Sequence, residues 1–190
     1  MKKLLFFAAF IAMMFTAKSQ STNYKAFKVD VMFGYATPSG SSGGVKAGAT
    51  FTIEPHYRIT NDIALGLRLE GAALGYEIKN SDGSSDAKVS LLNSYCATGE
   101  YYFMKGSFRP FAGGGLGFFT QSSINTNSVT AYKIPGATKF GFFPTVGFET
   151  GHFRVSSSYN LLPDKAGYLA FKLGFFFGGG KKTPDTNSQK

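Results

Sequence analysis

Four arginines and a set of glutamates spaced beside them are the residues of this chain best suited to charge chemistry. Arg58, Arg68, Arg109 and Arg154 are its only arginines, and Glu54, Glu70, Glu100 and Glu149 accompany them. A guanidinium and a carboxylate can form charge-assisted, often two-pronged hydrogen bonds that satisfy both groups away from bulk water. These eight residues therefore predict an ion-paired interior. The bland reading is structural stabilisation; the sharper one is a switchable ion-pair gate for small solutes.

Other chemistries find little support. His56 stands beside Glu54 and Arg58, and His152 falls in a two-residue turn. A hydrolase working at the outer rim would need a histidine there with a serine or an acid, so no catalytic residue is expected and His56 reads as a hydrogen-bonded interior side chain. The single cysteine, Cys96, allows no internal disulfide and reads as a half-buried strand residue. The spacing of Cys, His, Asp and Glu shows no metal-ligand pattern; Asn80, Asp82 and Asp86 could approach Ca²⁺ but read as a solvated loop. Gly113, Gly114 and Gly115 lie within a strand rather than before a helix, so they cradle no phosphate. No cofactor is expected.

The elements that must position these residues are strands. Lys2 and Lys3, the apolar run Leu4 to Phe15, and Ala17-Lys18-Ser19 have the form of a cleavable export signal over residues 1–19. Twelve apolar residues are too few for a membrane helix, which needs about 20. Loss of Lys2, Lys3 and Lys18 would lower the formal charge from +9 to +6. The remaining basic residues are dispersed, so nucleic acid is not an expected partner. Beyond residue 24 the pattern has period two and predicts eight strands, at 25–36, 44–58, 63–79, 87–103, 108–122, 137–150, 153–160 and 167–178. Every second connection is short: 60–62, 104–107 and 151–152. The others, 37–43, 80–86, 123–136 and 161–166, are longer and polar, as in barrels with short periplasmic turns and longer outer loops. A barrel domain over 20–178 with both ends on the turn side, and a disordered tail over 179–190, are expected.

Parity separates two faces. Ile63, Leu65, Leu67 and Leu69 alternate with Ala64, Gly66, Arg68 and Glu70, and strands one and two repeat the pattern. All four arginines, with Glu54, Glu70, Glu100 and Glu149, fall on the polar parity, together with Gly34, Gly48, Gly66, Gly113, Gly115, Gly117, Gly141 and Gly147. An eight-stranded barrel has an interior only wide enough for side chains. The aromatics of the apolar parity, among them Phe33, Phe51, Tyr95, Phe118, Phe140, Phe142, Tyr159 and Phe171, could not all fit inside. Charges are thus expected to point inward and apolar side chains outward into lipid. Tyr57, Tyr101, Phe103, Phe108, Phe148, Phe153, Phe175 and Phe177 flank the short turns on the apolar parity, where an interfacial aromatic girdle belongs.

The export signal, the eight strands, the segment Phe108-Arg109-Pro110-Phe111-Ala112-Gly113-Gly114-Gly115-Leu116-Gly117 and the final Phe175-Phe176-Phe177 together resemble the small outer-membrane β-barrel proteins of the OmpA, OmpX and OmpW type. The resemblance implies an all-β, eight-stranded, antiparallel up-and-down transmembrane barrel in a bacterial outer membrane, non-enzymatic and monomeric. Its implied partners are outer-membrane lipid and the barrel-insertion machinery. The leading expectation is a scaffold whose lumen is closed by ion pairs. One alternative is a narrow channel, with Pro110 and Pro144 marking gaps through which apolar solutes could leave sideways; another is a soluble lipocalin-like carrier.

Overall fold

The computed structural model describes residues 24–39, 45–79, 85–121, 137–163 and 167–182. They form eight strands: β1 (Phe27–Pro38), β2 (Val45–Arg58), β3 (Ile63–Lys79), β4 (Ser85–Tyr102), β5 (Phe108–Gln121), β6 (Ala137–Thr150), β7 (Phe153–Asn160) and β8 (Tyr168–Gly178). Each pairs antiparallel with its sequence neighbour, and β1 pairs with β8 to close the barrel. Closure leaves no edge strand whose N–H and C=O groups would need outside partners.

Three short connections lie at one end. In the first, Thr60 Oγ1 accepts from the Asp62 and Ile63 amides at 3.2 and 3.0 Å, a local turn that competes with continued strand pairing. Phe103–Ser107 joins β4 to β5. Gly151, with φ of 58°, starts the two-residue turn to β7, where a side chain would strain the backbone. The expected export signal lies outside the described residues, and the four long loops fall wholly or partly outside them.

The expected tail needs correcting at its start. Gly179 N donates to Phe27 O and Lys25 N to Gly180 O, each at 2.9 Å, and Tyr24 bridges Lys181. Polar composition suggested that nothing beyond Gly178 would pack. The open backbone edge ahead of β1 supplies partners that do not depend on side-chain type.

Facing follows parity. The outward aromatics expected in lipid are exposed, except for Phe148, which is half-buried. Inward glycines admit the close approach of neighbouring strands: a Cβ on Gly117 would meet Cys96 Cα at 2.6 Å. Each proline stands where a ladder ends. Pro110 keeps its pairing with Phe148 in β6, while β4–β5 pairing stops beside it at Tyr102 and Phe111, and its carbonyl accepts from Phe103 N at 3.0 Å. Pro144 lies next to Thr145, where β6–β7 pairing stops; one isolated bridge, Phe142 to Leu161, follows in the same register. A missing N–H accounts for the interruption.

Candidate functional site in the lumen

The lumen is occupied by side chains from all eight strands. Arg58 and Arg68 are 0 % exposed and Arg154 1 %; Arg109, Glu54, Glu70, Glu100 and Glu149 are also buried. These eight do not form one cluster. They separate into two sets that share no hydrogen bond or ion pair among the described contacts.

The larger set lies toward the turn end and centres on Glu149. Its carboxylate accepts from Arg109 Nη2 at 2.8 Å and Arg154 Nη1 at 2.7 Å, meets Lys28 Nζ at short range, and has Arg58 Nη2 at 3.5 Å. Tyr102 Oη lies 2.9 Å from both Glu149 and Glu100. Arg154 Nη2 donates to Glu100, while its Nε is 3.2 Å from Asp30 Oδ2. His56 Nε2 stands 3.0 Å from Asp30 Oδ2 and 3.6 Å from Glu54 Oε1. Lys28, Arg58, Arg109 and Arg154 thus face Asp30, Glu100 and Glu149, opposite charges whose pairing offsets the cost of burial, while Glu54 joins the set through His56.

Aromatic rings close the base of this set. The Arg58 guanidinium stacks between Tyr24 and Tyr102, 4.9 and 4.4 Å from the ring centroids, and Arg109 lies 4.7 Å from Tyr24. Such cation–π contacts gain strength where water is excluded. Tyr24 Oη donates to Lys105 O at 2.5 Å, tying the segment ahead of β1 to the β4–β5 turn.

The second set centres on Glu70, which accepts from Tyr168 Oη at 2.6 Å, Lys172 Nζ at 2.8 Å and Thr52 Oγ1 at 2.9 Å. Arg68 Nη1 is 3.9 Å from Glu70, and Arg68 Nη2 donates to Asn160 Oδ1 at 2.7 Å. Phe143 stacks on the guanidinium 3.5 Å away. Apolar side chains surround this set: Ala36, Ala72, Phe119, Phe143 and Ala170 are buried together, with Leu74, Leu92 and Leu162 packed on them. Cys96 belongs to the same layer and is fully buried rather than half-buried.

Lys28, Asp30, Tyr102, Tyr168 and Lys172 are network members that the arginine–glutamate pattern did not single out. The signal was present. Lys28 and Asp30 alternate with Val29 and Val31, and Lys172 lies between Phe171 and Leu173, so the parity test used for the arginines would have turned them inward. The structure also corrects the absence of a metal-ligand group: Asp30, Glu54 and His56 bring donor atoms within 4.8 Å of one another. Glu54 and His56 are neighbours on β2, but the distance of Asp30 in the sequence hid the group, because β1–β2 register, which sets Asp30 opposite Glu54, is what joins them. Asn80 and Asp82 lie outside the described residues, and Asp86 is in β4.

At the turn end, outward aromatics lie side by side. Phe153 and Phe175 have ring centroids 4.6 Å apart, Phe108 and Phe148 5.3 Å, and Tyr101 and Phe103 5.4 Å. Tyr57 and Phe177 continue the row on β2 and β8, and Phe27, exposed on β1, joins them through its pairing with Tyr57. A surface that is greasy outside and charged within is the reverse of a water-soluble barrel.

The family model of the outer membrane protein beta-barrel domain matches residues 5–183. The chain belongs to this family. Its fold is similar to that of the outer membrane protein OprG from Pseudomonas aeruginosa, with a TM-score of 0.56 at 12 % identity, covering 84 % of this chain and 99 % of that one. It is likewise similar to Neisserial surface protein A, with a TM-score of 0.52 at 17 % identity, covering 80 % and 96 %. At these identities the likeness concerns the fold. No curated protein matches the sequence.

Outer-membrane residence makes lipid the solvent of the apolar face, and this has a measurable consequence at Leu67. Its side chain is 59 % exposed four residues along β3 from Ile63, which pairs with Tyr101 of the turn-end aromatic row; that rise of about 10 Å at a tilt of about 40° brings it near the middle of an apolar band about 25 Å tall. Leu67→Arg is expected to destabilise the barrel in phospholipid vesicles by about 2–4 kcal/mol, as measured by reversible denaturant unfolding. In water an exposed substitution of this kind would change stability by less than about 0.5 kcal/mol, so the measurement separates the two solvents.

Proposed function

We propose that this outer-membrane barrel is a non-enzymatic scaffold whose lumen is closed by its ion-pair network, with the outer loops free to meet surface partners. The observation that carries the reading is that the pairs cross the lumen rather than line its wall. Glu70 of β3 is held by Lys172 and Tyr168 of β8, Arg68 of β3 by Asn160 of β7, and Glu100 of β4 by Arg154 of β7. Side chains joined across the interior stand in the way of a straight aqueous path through the described residues, and Tyr24 adds a cover at the turn end. Residues 1–19 act in this reading as the export signal, both chain ends face the periplasm, the barrel works as a monomer delivered by the insertion machinery, and the turn-end aromatics sit at the membrane interface. Reconstituted into a planar lipid bilayer, the protein is expected to give a persistently silent current trace. Stepwise conductance proportional to voltage would overturn the closed-lumen reading.

A second reading has one specific observation behind it. At Pro144 the β6–β7 ladder loses its bonds before β7 ends, and a narrow path for small apolar solutes sideways through the wall would use that gap. Pro144→Val supplies the missing N–H and would slow uptake of an apolar fluorescent solute into proteoliposomes if this path operates. Equal uptake by both proteins would remove it.

A further inference from the structure

We infer that Asp30, Glu54 and His56 form a site inside the barrel for a divalent first-row transition-metal ion such as Zn²⁺ or Cu²⁺. The donor set is one imidazole nitrogen and two carboxylate oxygens, the mixture that borderline cations take and that Ca²⁺ and Mg²⁺, which prefer oxygen alone, do not.

Spacing supports the assignment. Donors bound at about 2.1 Å to one ion sit about 3.0 Å apart along an octahedral edge and about 3.4 Å apart along a tetrahedral one. His56 Nε2 is 3.0 Å from Asp30 Oδ2 and 3.6 Å from Glu54 Oε1. The ring nitrogens of His56 are buried without a well-directed hydrogen bond, whereas Asp30 Oδ2 is already approached by Lys28, His56 and Arg154 at 3.0–3.2 Å. His56, buried with neither ring nitrogen in a well-directed hydrogen bond, is the donor with most to gain from an ion.

The surrounding charges permit it. Lys28 Nζ at 3.1 Å and Arg154 Nε at 3.2 Å approach the same Asp30 Oδ2 that faces His56, so an ion held there would share that oxygen with them. Glu100 Oε2 lies 3.8 Å from His56 Nδ1 and can fix the ring's outer nitrogen, as carboxylates behind metal-bound histidines do. Around His56, the carboxylates of Asp30, Glu54 and Glu100 meet Lys28 and Arg154 directly, and Arg68 interacts electrostatically with Glu54. Because Asp30 is on β1 and both Glu54 and His56 are on β2, an ion here would clamp the first hairpin of the barrel. The site does not depend on whether the lumen conducts.

The test uses the full mature chain without a histidine tag, refolded in detergent with Zn²⁺ and freed of loose metal by gel filtration. Metal analysis is expected to find about one Zn²⁺ per folded chain, with retention falling at least tenfold in His56→Gln and in Glu54→Gln and unchanged in His152→Gln, the other histidine. Folding of each variant is checked by its heat-sensitive mobility on electrophoresis. Wild-type protein loaded with Cu²⁺ gives a readout that needs no variant: electron paramagnetic resonance with splitting from a single nitrogen. Absence of retained Zn²⁺, retention unchanged in folded His56→Gln, loss in His152→Gln, or a Cu²⁺ spectrum without nitrogen splitting would each overturn the assignment.

Discussion

Replacing Glu149 by glutamine is expected to lower folding stability by about 3–5 kcal/mol, the usual cost of removing one partner from a buried ion pair. The reason for expecting the upper part of that range is convergence. Lys28, Arg109 and Arg154 all donate to this carboxylate, Arg58 approaches it at 3.5 Å, and no other carboxylate makes an ion pair with Arg58 or Arg109 among the described contacts. Glutamine keeps the shape but removes the charge, and its amide turns a donor toward groups that already donate. Equilibrium unfolding by urea in lipid vesicles, compared with wild type, measures the loss. Adding Arg109→Gln to the variant removes one of the stranded cations, so the double variant is expected to be less destabilised than the sum of the two single ones. A change below about 0.5 kcal/mol in Glu149→Gln would mean that water already screens the network.

Glu70→Gln is expected to cost about 3 kcal/mol by the same measurement, leaving Arg68 and Lys172 buried without their carboxylate. Lys172→Met on that background removes one stranded charge and keeps an unbranched chain in its place, so stability is expected to recover in part. Lys172→Met alone is expected to be destabilising, because it leaves Glu70 paired only with Arg68 at 3.9 Å. Since Glu70 and Glu149 share no hydrogen-bond or ion-pair partner among the described contacts, the coupling between substitutions of these two residues is expected to stay within about 0.5 kcal/mol. Coupling well above that would show that the two sets respond as one unit, contrary to their separation in the structure.

Strand count, strand limits and the facing of nearly every residue could be read from the sequence. The eight strands begin and end within two residues of the expected positions, because alternation and turn residues are local properties that any short stretch displays. Arg58, Arg68, Arg109 and Arg154 could be assigned to the interior for the same reason: neighbours one residue away are apolar, and a strand sends adjacent side chains to opposite faces. The chain also determined by itself that charge and lipid must lie on opposite sides of the wall, since sixteen large aromatics cannot enter a lumen of this size.

Pairing across the lumen was decided by tertiary structure. Nothing near Glu70 in the chain indicates Lys172 or Tyr168, and nothing near Arg154 indicates Asp30 or Glu100. Those contacts depend on closure of β1 against β8 and on the stagger that each ladder adds as the barrel wraps, quantities that accumulate over the whole sheet. The division of the charges into two sets, the placement of Tyr24 beneath Arg58 and Arg109, and the meeting of Asp30, Glu54 and His56 follow from the same source. Parity is fixed within one strand, whereas a partner on the far wall is fixed only when eight strands have closed in one register.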